Sequence, residues 1–205
     1  MKKFIFALFF LPLIALAKPA EFEAGKAYQI IDASAPKVTT PVDVVEFFSY
    51  GCHFCYQLEP TLEEWVAQKG KSINFNRVAV IFNRGWNYYA KAYYTAKLLG
   101  INDKMTPALF KAIQEDKKKL QSNQSMEQFF IKHGVDEAMV KSAFEASPTI
   151  DGLMQQGMQL MQNYKITAVP TIVVAKRYKT DLVMAGGDPK KMMAIIDYLI
   201  AKSQN

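Results

Sequence analysis

The chain has 205 residues, 50% of them hydrophobic, and a formal net charge of +6. This composition supplies apolar surface for one domain or two small ones and excludes wholesale disorder. Basic residues are not massed on one element, so we expect no nucleic acid as a partner. The densest basic run, Lys117-Lys118-Lys119, is interpreted as a solvated helix end without functional weight.

Residues 1–17 have the pattern of a secretory signal peptide. A basic start at Lys2 and Lys3 precedes an almost unbroken apolar run to Leu16, and the small residues of a cleavage site end at Ala17. The alternative, an uncleaved anchor, is disfavoured because the run is shorter than the roughly 20 residues of a membrane-spanning helix. We therefore predict an exported protein that is cleaved after Ala17.

The next part of the chain predicts a βαβ unit. The β-branched and aromatic segment Val42–Phe48 predicts a buried strand, and residues 73–82 predict a second one. Between them, a helix is predicted from Cys52 to about Gln68, and Pro60 is expected to kink it. Connections of this length favour a right-handed crossover between parallel strands.

The chain from residue 84 to residue 164 predicts helices alone. Glycines and a proline separate five segments of helical periodicity, at residues 86–99, 104–117, 126–133, 137–145 and 150–164. The aromatic residues and methionines of this block are predicted to form its core. The alternative is a soft apolar surface for unfolded polypeptides.

The last part of the chain returns to strands. Residues 171–175 predict a strand, residues 178–185 its hairpin partner, and residues 189–202 a final helix capped by Asp188. The simplest architecture is one α/β domain interrupted by a helical insertion. We expect the domain to comprise residues 18–83 and 165–205, and the insertion to comprise residues 84–164.

The two cysteines, Cys52 and Cys55, are the most informative residues. Structural disulfides in exported proteins close long loops, but a bridge across two residues removes almost no entropy from the unfolded chain. Reversible thiol chemistry explains the pair better. Cys52 lies where the strand ends and the helix begins, so unpaired backbone N–H groups and the helix dipole should lower its pKa.

The neighbouring residues complete this hypothesis. His53 can add positive charge beside Cys52 when protonated, although it could also be an ordinary helix-start residue. Cys55, one turn further along, is expected to be more buried and to act as the resolving thiol that attacks a mixed disulfide. A stabilised thiolate at Cys52 favours the reduced dithiol and makes the disulfide a better oxidant.

Metal and haem sites are disfavoured by specific residues. Covalent haem attachment requires His directly after the second cysteine, where this chain has Tyr56. A structural zinc site requires four ligands, but the chain offers two cysteines and two histidines, of which His133 lies in a distant helical segment. We therefore expect no metal and no bound cofactor.

Two residues outside the cysteine pair have open interpretations. Glu46 lies in the strand before Cys52, either facing solvent or paired with a cation, or as a buried carboxylate with a raised pKa that moves protons beneath the cysteines. Pro170, before the strand at Thr171, is by itself an ordinary strand-start proline.

The segment VEFFSYGCHFCYQLE, residues 45–59, closely resembles the DsbA family of bacterial periplasmic thiol oxidases, and the segment AVPT, residues 168–171, matches that family at a second place. The resemblance implies a thioredoxin fold with an inserted helical domain. It also implies that Cys52 is the nucleophile, Cys55 its buried partner and Glu46 the buried acid of the family.

The same resemblance extends to the residues around the cysteines. It implies that Pro170 is a cis-proline facing the disulfide and that the backbone of Val169 pairs with bound substrate. Pro60 matches the helix-kinking proline of thioredoxins. This chain differs in the dipeptide between the cysteines, which is His53-Phe54 where the family usually has Pro-His, and this dipeptide tunes the strength of the oxidant.

We therefore predict a monomeric periplasmic oxidase that donates its Cys52–Cys55 disulfide to reduced or unfolded exported polypeptides. The resemblance implies that a quinone-linked membrane partner of the DsbB type reoxidises it. One alternative is a reductase or isomerase of the same fold, kept reduced by a different partner. A second alternative is a chaperone-like binder of unfolded polypeptides, for which the cysteines are dispensable.

Overall fold

The predicted strand Val42–Phe48 lies inside a five-stranded sheet in the computed structural model of the protein, which describes residues 22–145 and 147–205. The predicted signal peptide and its cleavage site after Ala17 lie outside the described residues. The strand order is β1-β5-β4-β2-β3. The strands are β1 (Gln29–Ile30), β2 (Val42–Phe48), β3 (Ile73–Ala79), β4 (Thr171–Val174) and β5 (Tyr178–Asp181).

Seven α-helices of the described residues surround or extend this sheet, and five of them lie between β3 and β4. They are α1 (His53–Lys69), α2 (Arg84–Leu98), α3 (Asn102–Phe110), α4 (Asn123–Lys132), α5 (Glu137–Glu145), α6 (Pro148–Asn163) and α7 (Pro189–Gln204). This order confirms an α/β architecture with a helical insertion. None of the helices in the described ranges is long and apolar enough to cross a membrane.

Strand β2 positions the cysteine pair. It pairs in parallel with β3 and antiparallel with β4, and α1 connects β2 to β3, which confirms the predicted βαβ unit. Most β2 side chains are buried because strands flank it on both sides and helices cover its faces. Only four residues separate Phe48 from α1, so the end of this strand fixes the start of the helix.

Several elements differ from the predictions, and the hairpin strand predicted at residues 178–185 ends at Asp181. Strand β3 ends at Ala79 rather than at residue 82, because its partner β2 ends opposite it at Phe48. The predicted helix 104–117 begins earlier, at Asn102, and changes into a π-helical turn at Lys111–Glu115. Strand β1 was not predicted, since it has two residues and both are exposed.

The buried side chains form separate clusters around the sheet and within the helical insertion. In the insertion, Tyr89, Tyr93 and Tyr94 are buried, which confirms that aromatic residues of this block form its core. Met154 of α6 is buried as well, but Met158 is exposed, so the prediction for the methionines is correct only in part. Phe48 and Tyr50 continue this cluster from the end of β2, and both pack edge-on or tilted against Phe110 of α3. The cysteine pair belongs to the same cluster, so it lies where sheet and insertion meet.

Helix α6 packs closely against Tyr94 of α2 at Gly157. A Cβ atom at this position would overlap with the hydroxyl of the buried Tyr94 and would lie 3.4 Å from Val78 Cγ1. Gly152, one and a half turns earlier in α6, has open space around its Cα. The packing of α6 therefore requires glycine at position 157 but not at position 152.

We expect Gly157→Ala to lower the free energy of unfolding by about 1–2 kcal/mol, because the added methyl group overpacks the contact with Tyr94. Gly152→Ala is the matched control and should raise the free energy of unfolding by about 0.5–1 kcal/mol, because alanine favours the helix and meets no neighbour. Urea denaturation of both variants measures the two changes. Equal effects at the two positions would contradict the close approach.

Candidate active site

Cys52 is the N-cap residue of α1, as its position in the sequence predicted. Its backbone is extended (φ −91°, ψ 114°), and its Sγ accepts a hydrogen bond from the backbone N–H of Cys55 at 3.1 Å. Both cysteines are free thiols in this structure. Cys52 is 7% exposed and Cys55 is fully buried, which confirms the predicted order of burial.

The two thiols differ in acidity because of these contacts. The pKa of Cys52 is lowered, first by a hydrogen bond from the Cys55 side chain and then by the backbone N–H groups of Cys55 and Phe54. Burial raises the pKa of Cys55 well above the ordinary value, and the neighbouring Cys52 adds to this shift. Cys52 is therefore the group that ionises first.

His53 is the first residue of α1 and is exposed to solvent. Its ring lies 6.0 Å from the ring of Phe54. The contacts that lower the pKa of Cys52 come from Cys55 and Phe54. An electrostatic contribution of His53 thus stays a prediction.

Glu46 combines features of both interpretations left open by the sequence. It is fully buried on β2, and its register partner on β3 is Arg77, whose Nε lies 2.7 Å from Glu46 Oε2. Burial raises the pKa of Glu46, against the opposing effect of the Arg77 charge. The negative charge of Glu46 raises the pKa of both cysteines, so this carboxylate and the thiols influence one another.

Arg77 binds two further carboxylates, which come from α1. Its guanidinium makes two hydrogen bonds to Glu59, both at 3.0 Å, and one to Glu63 at 2.9 Å. One cation thus faces three acids on two elements, so the cluster has an excess of acid. Burial and the charges of the other two acids raise the pKa of Glu59 to about 7, although Arg77 opposes this shift.

Arg77 and Glu59 were missed by the sequence analysis. The sequence did contain a signal for this cluster. Arg77 is a charged residue inside a predicted strand, and the preceding helix carries two acids four residues apart, Glu59 and Glu63. Within residues 22–145 and 147–205, no group of three His, Cys, Asp or Glu side chains could hold a metal ion. His133 lies at the C-cap of α4, with Nδ1 2.7 Å from the carbonyl oxygen of Phe129, as expected of a cap residue.

The loop before β4 faces the cysteines. The Val169–Pro170 peptide bond is cis, as the family resemblance implied. The Cys52 thiol donates a hydrogen bond to the backbone oxygen of Val169 at 3.4 Å. The structure therefore brings Val169 and Pro170 next to the thiol, although they are more than a hundred residues away in the chain.

An apolar groove of about 310 Å³ begins at this loop. Two of its lining residues, Phe54 and Val183, have 58% and 84% of their surfaces exposed. The groove is lined by Phe54, Ala168, Val169, Pro170, Asp181, Leu182, Val183, Gly186 and Gly187. It is open and mostly apolar, so it can accept part of an extended chain beside Cys52.

A second aromatic surface lies near Gly51, next to Cys52. The indole of Trp86 packs so closely on Gly51 that a Cβ atom there would overlap with it. Phe82 stacks on Trp86 with ring centroids 5.7 Å apart. Apolar side chains therefore lie beside the active site at Gly51 as well as in the groove.

Comparison with known proteins identifies close relatives of this arrangement. The family model described as DSBA-like thioredoxin domain matches residues 61–195. The thiol:disulfide interchange protein DsbA of Burkholderia cepacia is 36% identical over 195 residues, which are 94% of this chain and 91% of the relative. The DsbA protein of Pseudomonas aeruginosa is 34% identical over 190 residues, which are 92% of this chain and 89% of the relative.

Solved structures agree with this result. The crystal structure of Pseudomonas aeruginosa DsbA superposes with a TM-score of 0.81 and 34% identity, covering 89% of this chain and 95% of that chain. The structure of oxidoreductase DsbA from Xylella fastidiosa superposes with a TM-score of 0.78 and 27% identity, covering 89% and 97%.

We expect Cys55→Ala to raise the pKa of Cys52 above that of the unchanged protein, because it removes the side-chain hydrogen bond that contributes most to the lowering. Cys55→Ser is the matched control and should raise it less, since a hydroxyl group still donates. Ultraviolet absorbance of the thiolate against pH measures both values in reduced protein. A Cys52 pKa that is identical in the two variants would contradict the assignment.

The acid cluster predicts a dependence of stability on pH. The pKa of Glu59 is about 7 in the folded protein, whereas the ordinary value, which applies to the unfolded chain, is 4.5. The folded state therefore binds the proton of the Glu59 carboxyl group more tightly than the unfolded state does. The free energy of unfolding of the unchanged protein, relative to Glu59→Gln, should therefore fall as the pH rises from about 4.5 to about 7. Chemical denaturation across this range measures the difference.

Glu64→Gln is the control for this experiment, because Glu64 is an exposed acid of the same helix. Its stability should follow that of the unchanged protein at every pH. If the Glu59→Gln curve did so as well, the raised pKa of Glu59 would be wrong.

Proposed function

Because this chain belongs to the DSBA-like thioredoxin domain family and is a thiol:disulfide oxidoreductase with a thioredoxin fold and a helical insertion, we propose that it works as an oxidase on newly exported polypeptides. Its donor is the disulfide between Cys52 and Cys55. The observation that carries this proposal is the stabilised sulfur of Cys52, which caps α1 beside Val169 and an apolar groove.

The reaction follows from the acidity of the two thiols. A substrate thiolate attacks Sγ of Cys52, the Cys52–Cys55 bond breaks, and Cys55 leaves with the electron pair and takes up a proton. A second substrate thiolate then attacks the substrate sulfur of the mixed disulfide, and Cys52 leaves as a thiolate. The low pKa of Cys52 makes it a good leaving group, so this second step is favoured.

The role of Cys55 differs from the one given to it on sequence grounds. Its attack on the mixed disulfide would re-form the Cys52–Cys55 bond and return the substrate reduced. Release of oxidised product therefore depends on the second thiol of the substrate. The raised pKa of Cys55 supports this direction, since it keeps Cys55 protonated once it has left.

Four further residues support the exchange. Glu46, buried beneath the thiols, exchanges the proton that Cys55 takes up, and His53, when protonated, adds positive charge beside Cys52. The backbone of Val169 pairs with the substrate, while Pro170 shapes the surface that faces the disulfide. The groove next to Val169 holds the apolar side chains that flank the substrate cysteine.

The proposed setting is the periplasm. Residues 1–17 act as a signal peptide that is cleaved after Ala17, and the mature protein works as a monomer. A quinone-linked membrane oxidase of the DsbB type removes two electrons and two protons from the reduced Cys52–Cys55 pair and so restores its disulfide. Reduced, unfolded exported polypeptides are the substrates, and no metal or other cofactor takes part.

We expect the oxidised protein to convert a reduced two-cysteine peptide to its disulfide form, and Cys52→Ser to lose this activity entirely, because no disulfide can form. Peptide oxidation followed by mass spectrometry measures the reaction. In equilibrium with glutathione, the protein should be mainly reduced under conditions in which ordinary structural disulfides stay oxidised.

These measurements also separate the alternatives. A disulfide that glutathione barely reduces would indicate a reductase. Full suppression of aggregation of an unfolded protein by Cys52→Ser, without any peptide oxidation by the unchanged protein, would indicate a chaperone-like binder.

A further inference from the structure

Three consecutive lysines follow the π-helical turn Lys111–Glu115. Lys117, Lys118 and Lys119 are all exposed. The backbone of Lys117 is left-handed, with φ of 55°, and the chain turns again at Leu120, with φ of 41°. The sequence suggested a solvated helix end for these lysines. The contacts of the segment that carries them, residues 111–119, instead place them beside the active site.

The start of the segment is attached to both sides of the cysteine pair. Gln114 Nε2 donates a hydrogen bond of 2.7 Å to the backbone oxygen of Tyr50, two residues before Cys52. The hydroxyl of Tyr56, the residue after Cys55, donates to the carboxylate of Glu115. The lysines therefore begin two residues after a direct contact with the active-site helix.

The end of the segment is attached to α2. The hydroxyl of Tyr89 donates a hydrogen bond of 2.5 Å to the backbone oxygen of Lys119. The side chain of Gln121 lies against Gly85, directly before the Trp86 that packs on Gly51. The start of the segment is thus held by residues that flank the cysteine pair, and its end by α2, whose Trp86 packs on Gly51.

The charge of the segment is positive. Residues 111–119 contain four lysines and two acids, Glu115 and Asp116, which gives a net charge of +2. Lys111 pairs with both acids, at 3.0 and 3.7 Å, and Lys118 pairs with Asp116 at 3.2 Å. The acids are therefore already engaged, and the excess positive charge is presented to solvent. The groove beside Val169 is, in contrast, mainly apolar.

We propose that Lys117, Lys118 and Lys119 form a basic rim that attracts polypeptides with acidic residues near the cysteine to be oxidised. This inference rests on the proposed oxidase function and adds a preference among its substrates. Exposed charges near a reactive group raise the rate of encounter with oppositely charged partners, and salt screens this effect over about 8 Å at physiological ionic strength. The basic rim thus acts on the association rate rather than on the exchange step.

The test compares three reduced two-cysteine peptides that differ only in three flanking residues, all Glu, all Gln or all Lys. At low ionic strength, the oxidised protein should oxidise the Glu peptide about five-fold faster than the Gln peptide and the Lys peptide more slowly still. High salt should bring the three rates together. The triple variant K117Q/K118Q/K119Q should lose most of the preference for the Glu peptide at low ionic strength.

A matched control removes the same charge at the other end of the sheet. Lys71 lies just before β3, Lys176 just after β4 with its Nζ 3.8 Å from Asp43 near the start of β2, and Lys37 in the chain leading to β2. All three are exposed. The variant K37Q/K71Q/K176Q should keep the preference for the Glu peptide, because these lysines are far from Cys52.

Three results would overturn the proposal. They are equal rates for the Glu and Gln peptides in the unchanged protein at low salt, a preference that survives in K117Q/K118Q/K119Q, and an equal loss in the control variant, which would indicate net charge alone. If the triple variant did not fold, the single variants K117Q, K118Q and K119Q would replace it, each with a smaller loss of the preference for the Glu peptide, and K37Q, K71Q and K176Q would be their controls. Failure to oxidise any peptide would instead contradict the oxidase function itself.

Discussion

The sulfur of Cys52 occupies the position at which a helix usually has a capping oxygen. It accepts the N–H of Cys55 at 3.1 Å, and α1 can begin there because β2 ends four residues earlier. The same contact that completes the helix stabilises negative charge on the sulfur. The stability of α1 and the acidity of the Cys52 thiol are thus coupled. The loop from Ala168 to Pro170 belongs to the site because it faces the same sulfur atom.

The acid cluster beneath the active site opposes this stabilisation of the Cys52 thiolate. Glu46, Glu59 and Glu63 converge on Arg77, and the negative charge of Glu46 raises the pKa of both cysteines. Arg77 also connects β3 to α1, so it joins the helix that carries the thiols to the sheet beneath. The pKa of Cys52 therefore reflects a balance between hydrogen bonds, which favour the thiolate, and burial together with the charge of Glu46, which oppose it.

Local pattern was sufficient to predict the βαβ unit, the helix start at Cys52 and the helical insertion. Contacts between distant segments were not predictable in this way, because periodicity carries no information about which elements meet. Gln114 binding to Tyr50, Trp86 covering Gly51 and Arg77 joining three acids all belong to this class. The break of the predicted helix 104–117 has the same origin, since residues of its π-helical turn bind the active-site segment.

Strand β3 forms one edge of the sheet, and β1, at the other edge, has only two residues. An exposed edge is a template on which foreign strands can add and aggregate. Here the Tyr93 hydroxyl donates to the backbone oxygen of Arg77 at 3.0 Å, and the exposed side chains of Asn74 and Asn76 make the rest of the edge polar. This edge is thereby made a poor template for added strands, which favours an oxidoreductase whose substrates are themselves polypeptide chains.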